Sequence, residues 1–152
     1  MTKYPLTATP TPAPNKWDEP DLYDKEPVSY RDFVLTLPTL TISKKMKRAL
    51  AIMYFSGKPV PCYDFAKTLG YDIRDKDKGN PLNLIFGKFA LALHDILGRD
   101  KKHDVVGMGI FAVFMEVQDA DGEIVNCWYL RGRFRAALAT CFDMDEWLML
   151  AD

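Results

Sequence analysis

Two strand-like runs that flank the pair Asp121-Gly122 constrain the fold of this 152-residue chain more than any other feature. The runs VVGMGIFAVFMEV and EIVNCWYL are rich in β-branched and aromatic residues, and an Asp-Gly pair between two such runs is typical of a tight hairpin turn. Because the first run is apolar at consecutive positions, both faces of its strand need at least partial cover. The sequence therefore predicts a β-hairpin that packs against helices or against another chain.

Three helices are predicted before this hairpin. The first begins after Thr41 and ends at Gly57, and the second is a short helix that ends at Gly70. The third begins at the pair Asn80-Pro81, which suits an N-cap and the first helical residue, and it ends at Gly98. The apolar stripes of the first and third helices are Ile42, Met46, Leu50 and Met53, and Leu82, Ile85, Phe86, Phe89, Leu93 and Ile96.

Residues 1–40 are predicted to form an extended, acidic, proline-rich arm. Prolines at positions 10, 12, 14, 20 and 27, together with few aliphatic residues, leave too little apolar surface to offset the entropy of ordering this segment. The arm nevertheless contains three large apolar side chains that can dock on a partner or on the arm's own domain. These candidate partner-binding residues are Trp17, Leu22 and Tyr23.

The end of the chain is predicted to be helical. The runs RFRAALATCF and MDEWLML follow the hairpin, and residues 143–152 are expected to form a short C-terminal helix. This helix is acidic and has little room to bury Trp147 and Leu148, so both are candidate partner-binding residues. We therefore expect self-association through the ends of the chain, most simply as a homodimer.

The order of three helices, a hairpin and a closing helix resembles a winged helix-turn-helix domain over residues 41–142. The resemblance is carried by ALAIMYFSGKPVPCYDFAKTLGY, NPLNLIFGKFALALHDILG and WYLRGRFRAAL. It implies an α+β fold, flanked by the N-terminal arm and the C-terminal helix. In this family the third helix usually enters the major groove of DNA and the hairpin, or wing, lies along the backbone or minor groove. The resemblance therefore implies DNA contacts by Asn83, Lys88 and the wing.

Cations are concentrated in the middle of the chain, where residues 41–135 contain sixteen Lys/Arg and eleven Asp/Glu. Three arginines follow the second strand and are expected beside the outer face of the third helix, where they can form one phosphate-facing patch with nearby lysines. The alternative is that these arginines pair with acidic neighbours. The candidate DNA-binding residues are Lys44, Lys45, Asn83, Lys88, Lys101, Lys102, Arg131, Arg133 and Arg135.

We expect from these patterns a non-enzymatic, cytoplasmic DNA-binding protein that regulates transcription or another DNA transaction. The alternative is a winged-helix protein–protein interaction module, such as an adaptor, an assembly subunit or a phage-type inhibitor, whose third helix, hairpin and arm contact protein. A minor alternative is a degenerate metal-dependent nuclease that uses Asp104, Glu116 and Gln118. The lysine expected after the glutamate of such a nuclease is absent. The net charge of −1 by itself favours neither a DNA-binding protein nor an acidic mimic.

The sequence predicts no cofactor, no metal centre and no membrane partner. His94 and His103 are the only histidines, and neither has a cysteine or a second histidine at a metal-ligand spacing. Cys62, Cys127 and Cys141 lack a C-x-x-C spacing and indicate reduced core cysteines. Uninterrupted apolar runs fall short of the roughly 18 residues that a membrane-spanning helix needs.

Overall fold

The computed structural model describes residues 28–71, 82–98 and 107–150. Within these ranges the fold is α+β, with six α-helices, two 3-10 helices and one three-stranded antiparallel sheet. The α-helices are α1 (Tyr30–Thr36), α2 (Lys44–Ser56), α3 (Cys62–Thr68), α4 (Leu82–Leu97), α5 (Gly132–Cys141) and α6 (Met144–Leu148). The strands are β1 (Val60–Pro61), β2 (Ala112–Gln118) and β3 (Ile124–Leu130), and the 3-10 helices are Leu37–Thr39 and Gly107–Ile110.

Helix α1 occupies the last part of the segment that was expected to be an extended arm. The helix is capped by Ser29, whose Oγ accepts a hydrogen bond from the Asp32 backbone N–H at 3.1 Å. Phe33 is fully buried, and its ring meets the ring of Phe134 edge-on with 5.0 Å between centroids. The expectation of an extended chain is therefore wrong for residues 28–40, which join the core because they bury apolar side chains. The rest of the predicted arm lies outside the described residues.

Helix α2 follows the predicted first helix closely. The Ser43 Oγ accepts a hydrogen bond from the Met46 backbone N–H at 3.1 Å, and the helix ends at Gly57, whose φ of +65° lies in the left-handed region that glycine tolerates best. The short second helix is confirmed as α3. In both helices, periodic apolar residues and a glycine stop were sufficient to predict the element.

The third predicted helix is confirmed as α4, but its buried face differs slightly from the predicted stripe. Most of the stripe is buried, whereas Ile85 is only half-buried and Ile96 is 49% exposed. Ala90 and His94 are buried in addition to the predicted residues. The predicted cap at Asn80-Pro81 lies outside the described residues.

The predicted hairpin is confirmed as β2 and β3, which pair in register from Ala112 opposite Leu130 to Gln118 opposite Ile124. At the turn, the buried Asp119 carboxylate accepts hydrogen bonds from two backbone N–H groups, those of residues 121 and 123, at 2.9 and 3.0 Å. Gly122 supplies the positive φ, +84°, that the turn needs. The short strand β1 was not predicted from the sequence, and it pairs with β3 on the side opposite β2.

Aromatic side chains join the sheet to the helices. The ring of Phe86 on α4 contacts those of Phe65, Phe111 and Trp128, with centroids 5.7 to 6.0 Å apart. Helices α5 and α6 confirm the helices predicted after the hairpin, with α5 packed on α1 and α6 packed on α2. In the part of the chain that the structure describes, every helix is too short or too polar to span a bilayer.

Candidate functional site

The three arginines that follow β3 lie at the start of α5 rather than along a strand. Arg131 is the N-cap residue of α5, and its Nε donates a hydrogen bond to the Gly109 carbonyl oxygen at 2.6 Å. Arg133 and Arg135 are half-buried in the first turns of the helix. The expected position, where strand becomes helix, is confirmed, but the three guanidinium groups do not form a single row because helical spacing separates them.

The Arg135 side chain makes hydrogen bonds and a ring contact within the fold. Its Nε donates to the carbonyl oxygen of Tyr54 at 3.0 Å, its Nη2 donates to the same oxygen, and its guanidinium lies 4.6 Å from the centroid of the Tyr54 ring. Tyr54 belongs to the last turn of α2, where carbonyl groups lack partners within the helix. Arg135 therefore ties α5 to the end of α2 and is poorly placed to contact a phosphate at the same time.

The lysines at the start of α2 are arranged differently. Lys44 is exposed, whereas Lys45 and Lys47 are half-buried and their Nζ atoms lie 4.4 and 5.6 Å from the ring centroids of Tyr71 and Trp147. Residues 40–58 contain five Lys/Arg and no Asp or Glu. The start of α2 is thus a positively charged surface. Lys101 and Lys102, the lysines expected at the other end of the hairpin, lie outside the described residues.

Half of the exposed residues of α4 are apolar. Leu84 and Leu91 are 65% and 47% exposed and are seven residues apart, so they lie on one side of the helix. The exposed charged residues beside them are Lys88 and Asp95, whose charges cancel. Asn83, also exposed, is the remaining candidate base-reading residue of this helix. We call the stripe of Leu84, Lys88, Leu91 and Asp95 the outer face of α4.

The hairpin has acidic and apolar exposed groups. From Ala112 to Leu130 the chain contains four Asp/Glu and no Lys or Arg. Phe114 and Ile124 are 52% and 56% exposed, and the register of β2 with β3 puts them on the same face of the hairpin. The Phe114 ring packs edge-on against Trp128 with 4.8 Å between centroids. The hairpin therefore offers apolar and negative groups to a partner rather than positive ones.

A groove runs between the start of α2 and the side of α4. It encloses about 310 Å³, and its floor is formed by Met46 and Phe89, which are 2% and 6% exposed. We call it the α2–α4 groove. The sequence assigned Ile42, Met46, Ile85 and Phe89 to core stripes, and only the packing of the two helices shows that these residues line a groove. Its lining residues are Leu40, Thr41, Ile42, Ser43, Met46, Ile85, Lys88, Phe89 and Ala92.

The C-terminal helix does not present its tryptophan to a partner. Trp147 is only 6% exposed, packs on α2 and stacks on Phe142 with 4.4 Å between ring centroids. The expectation that Trp147 is a contact residue is therefore wrong, because the start of α2 provides the cover that the short helix lacks. Leu148 remains 41% exposed and Met149 81% exposed. The other candidate partner-binding residues, Trp17, Leu22 and Tyr23, lie outside the described residues.

The cysteines have the character of core residues. All three are free thiols, with Cys62 and Cys127 buried and Cys141 half-buried. Burial raises the pKa of the Cys62 thiol to about 12. Burial also raises the pKa of Cys127, and the nearby Cys62 and Asp64 add to this shift. These thiols are therefore poor nucleophiles at neutral pH.

Two of the three residues of the nuclease hypothesis belong to the described hairpin. Glu116 is exposed on β2, while the Gln118 side chain donates from Nε2 to the Gly122 carbonyl oxygen at 2.9 Å and so belongs to the turn. Asp104 lies outside the described residues. Across residues 28–71, 82–98 and 107–150, no three His, Cys, Asp or Glu side chains are grouped so as to hold a metal ion.

Comparison of the chain with protein-family models, with curated proteins and with solved structures gave no match.

Proposed function

We propose that this chain is a non-enzymatic protein-interaction module of the winged-helix type. The order of its described elements supports this, because a helix, a short strand, two helices and a hairpin, with the sheet order β1-β3-β2, resemble the arrangement of a winged helix. The partner is a protein that contacts the outer face of α4 and the exposed face of the hairpin. The observation that carries this function is the exposure of Leu84 and Leu91 on the outer face of α4.

Electrostatics favours a protein over DNA as the partner of these two surfaces. A DNA-reading helix and its wing approach closely spaced phosphates, so they gain affinity from Lys and Arg side chains. Here the charges of Lys88 and Asp95 cancel on the outer face, and the hairpin contains four acidic residues and no cation. The hairpin would repel a phosphate backbone. Exposed leucine and phenylalanine side chains suit the partly apolar centre of a protein interface instead.

One observation still supports DNA binding as a second candidate. The start of α2 has a high density of cations, including the exposed Lys44, and residues 40–58 contain no acidic side chain. Such a surface attracts phosphates whatever their sequence. It belongs to a different element from the outer face of α4, so mutations can separate the two functions.

Site-specific photocrosslinking tests the interaction surface. A photoreactive residue placed at position 84 or 91 of the full chain should capture the same protein from the native host, whereas one at the exposed Ala139 on α5 should not. Leu84→Glu should abolish capture from position 91, and Ala139→Glu should leave it unchanged. Leu84→Glu should also weaken binding of the purified partner by about 30-fold, which corresponds to a hot spot of about 2 kcal/mol.

Two results would contradict a protein-interaction module. Equal capture from all three positions would show that the outer face of α4 has no special role. Salt-sensitive binding of duplex DNA at micromolar protein, unaffected by Leu84→Glu but lost in a Lys44→Glu and Lys45→Glu double variant, would instead favour the second candidate.

A further inference from the structure

The α2–α4 groove has an apolar floor and a positive rim. Met46 and Phe89 form the buried floor, and the half-buried Ile42 and Ile85 form the walls. Among the described residues that line it, Lys88 is the only charged one. The exposed Lys44 follows the lining residue Ser43, in a stretch of chain without any acidic side chain. A matching occupant therefore needs large apolar side chains and negative charge together.

The N-terminal end of α2 also favours a negatively charged occupant of the groove. The N-terminal end of a helix carries partial positive charge, so acidic side chains are favoured in its first turn and lysines are disfavoured. The first turn of α2 contains Lys44 and Lys45 and no acidic residue. An acidic segment lying in the groove would offset this unfavourable arrangement, since Ser43 at the helix start is one of the lining residues.

We propose that the chain's own residues 17–26, WDEPDLYDKE, dock in the α2–α4 groove. This segment contains five Asp/Glu and one Lys, and it carries Trp17, Leu22 and Tyr23 within ten residues. It therefore combines the two properties that the groove demands. Trp17 buries its side chain against the floor, and the acidic side chains that follow it lie near Lys44 and Lys88.

The chain between Trp17 and Val28 is long enough for Trp17 to reach the groove. Helix α1 and the 3-10 helix after it span about 10 and 6 Å. Including the short connections at each end, Val28 lies within about 25 Å of Leu40 at the groove. Residues 17–27 cover about 36 Å when extended, which exceeds that distance. A tether this short holds the segment at a millimolar effective concentration, so a contact that is weak between separate molecules is still well populated.

Trp17 fluorescence tests the docking in the full chain. The emission of Trp17 is obtained by subtracting the spectrum of a Trp17→Phe variant from that of the wild type. It should be blue-shifted and less accessible to acrylamide than the emission of a synthetic peptide of residues 14–27. Lys88→Glu should return both properties toward those of the peptide. Lys67→Glu, which makes the same charge change at an exposed position of α3, should not.

Competition gives a second readout that does not depend on Lys88. The labelled peptide of residues 14–27 should bind a full-length Trp17→Ser and Leu22→Ser variant, whose own segment has lost its anchors. The same peptide should bind the wild type about tenfold more weakly, because the tethered segment competes for the groove. Raising the salt concentration should weaken binding to the variant, since the contact is partly ionic.

Three results would overturn the docking. The first is Trp17 emission identical to that of the free peptide, and the second is an equal effect of Lys88→Glu and Lys67→Glu. The third is protection of Trp17 that disappears on dilution, which would show that the segment binds a second copy of the chain. None of these outcomes depends on a partner of the outer face of α4, so docking and the proposed function can fail separately.

Discussion

The two cation-rich segments of the described structure use their charges in different ways. At the start of α5, Arg131 and Arg135 donate hydrogen bonds to carbonyl oxygens of other segments. At the start of α2, Lys44 is exposed, and Lys45 and Lys47 lie over aromatic rings. A guanidinium is planar and has several donors, so it can bind a carbonyl and stack on a ring at once, whereas an ammonium group is small and strongly hydrated. The arginines therefore join elements of the fold, and the lysines give the surface its positive potential.

The largest change in stability is expected from substitution of Trp147, whose ring lies under the Nζ of Lys47 at the start of α2. Trp147→Ala should lower the free energy of unfolding by about 3 kcal/mol, because it removes a buried ring from between α6 and α2. Urea denaturation measures this loss. Leu148→Ala, at a position 41% exposed, is the control and should change stability by less than about 0.5 kcal/mol. If Trp147→Ala reduces the mass in sedimentation without loss of stability, the residue is a contact between copies after all.

Substitution of Arg135 should cause the next largest loss of stability. It also gives the clearest test of whether the arginines, unlike the lysines, hold the fold together. Arg135→Ala should lower the free energy of unfolding by about 2 kcal/mol, since it removes a charged hydrogen-bond donor and a ring contact from Tyr54. Arg135→Lys should recover less than half of the loss because lysine lacks the planar fork. Lys67→Ala, at an exposed site, is the matched control. A loss no greater than that of the control would mean that the two cation-rich segments do not differ.

Arg131 donates a hydrogen bond from Nε to the Gly109 carbonyl oxygen, which joins the start of α5 to the 3-10 helix before β2. Arg131→Ala is expected to lower the free energy of unfolding by about 1 kcal/mol. Hydrogen exchange should show the added opening mainly in β2 and the preceding 3-10 helix, which this side chain joins to α5. Uniform acceleration of exchange across the molecule would be inconsistent with a local tie.

The smallest expected change in the free energy of unfolding is a gain rather than a loss. In the Trp17→Ser and Leu22→Ser variant, whose acidic segment no longer docks, Lys44→Glu should raise the free energy of unfolding by about 0.5 kcal/mol at low salt, because it places a negative charge in the first turn of α2. The gain should shrink as salt is added, and thermal unfolding at two ionic strengths measures it. A destabilised Lys44→Glu variant would show that the charge of Lys44 is already balanced by acidic groups nearby.

Local signals in the sequence were sufficient to predict most of the helices and strands. Ser43 and Gly57 mark the ends of α2, and the pair Asp121-Gly122 marks the hairpin turn, because each residue satisfies a backbone requirement that depends only on its neighbours. Helix α1 was missed because its seven residues directly follow a proline-rich segment and span only two turns, too few to show a helical period. Strand β1 was missed because a two-residue strand has no periodicity to detect.

The surfaces were harder to predict than the elements. Trp147 looked exposed because its helix is short, and only the position of α2 shows that it is covered. Ile42 and Ile85 lay in stripes that predict burial, yet both are half-buried and line the groove between α2 and α4. The arginines at the start of α5 looked available for phosphate, but their carbonyl partners come from distant parts of the chain. Such outcomes depend on tertiary packing, which sequence periodicity does not specify.

The contact between α1 and α5 determines which part of the core can form early during translation and which must wait. Tyr30 and Thr140 share a hydrogen bond of 2.6 Å across 110 residues of chain, and the ring of Phe33 meets that of Phe134. Pairings between such distant residues form late, because closing a long loop costs entropy before the contact is gained. A nascent chain that has released α1 to α4 from the ribosome therefore cannot complete the burial of Phe33 against Phe134 until α5 emerges. This interval is when the protein is most exposed to aggregation and to capture by chaperones.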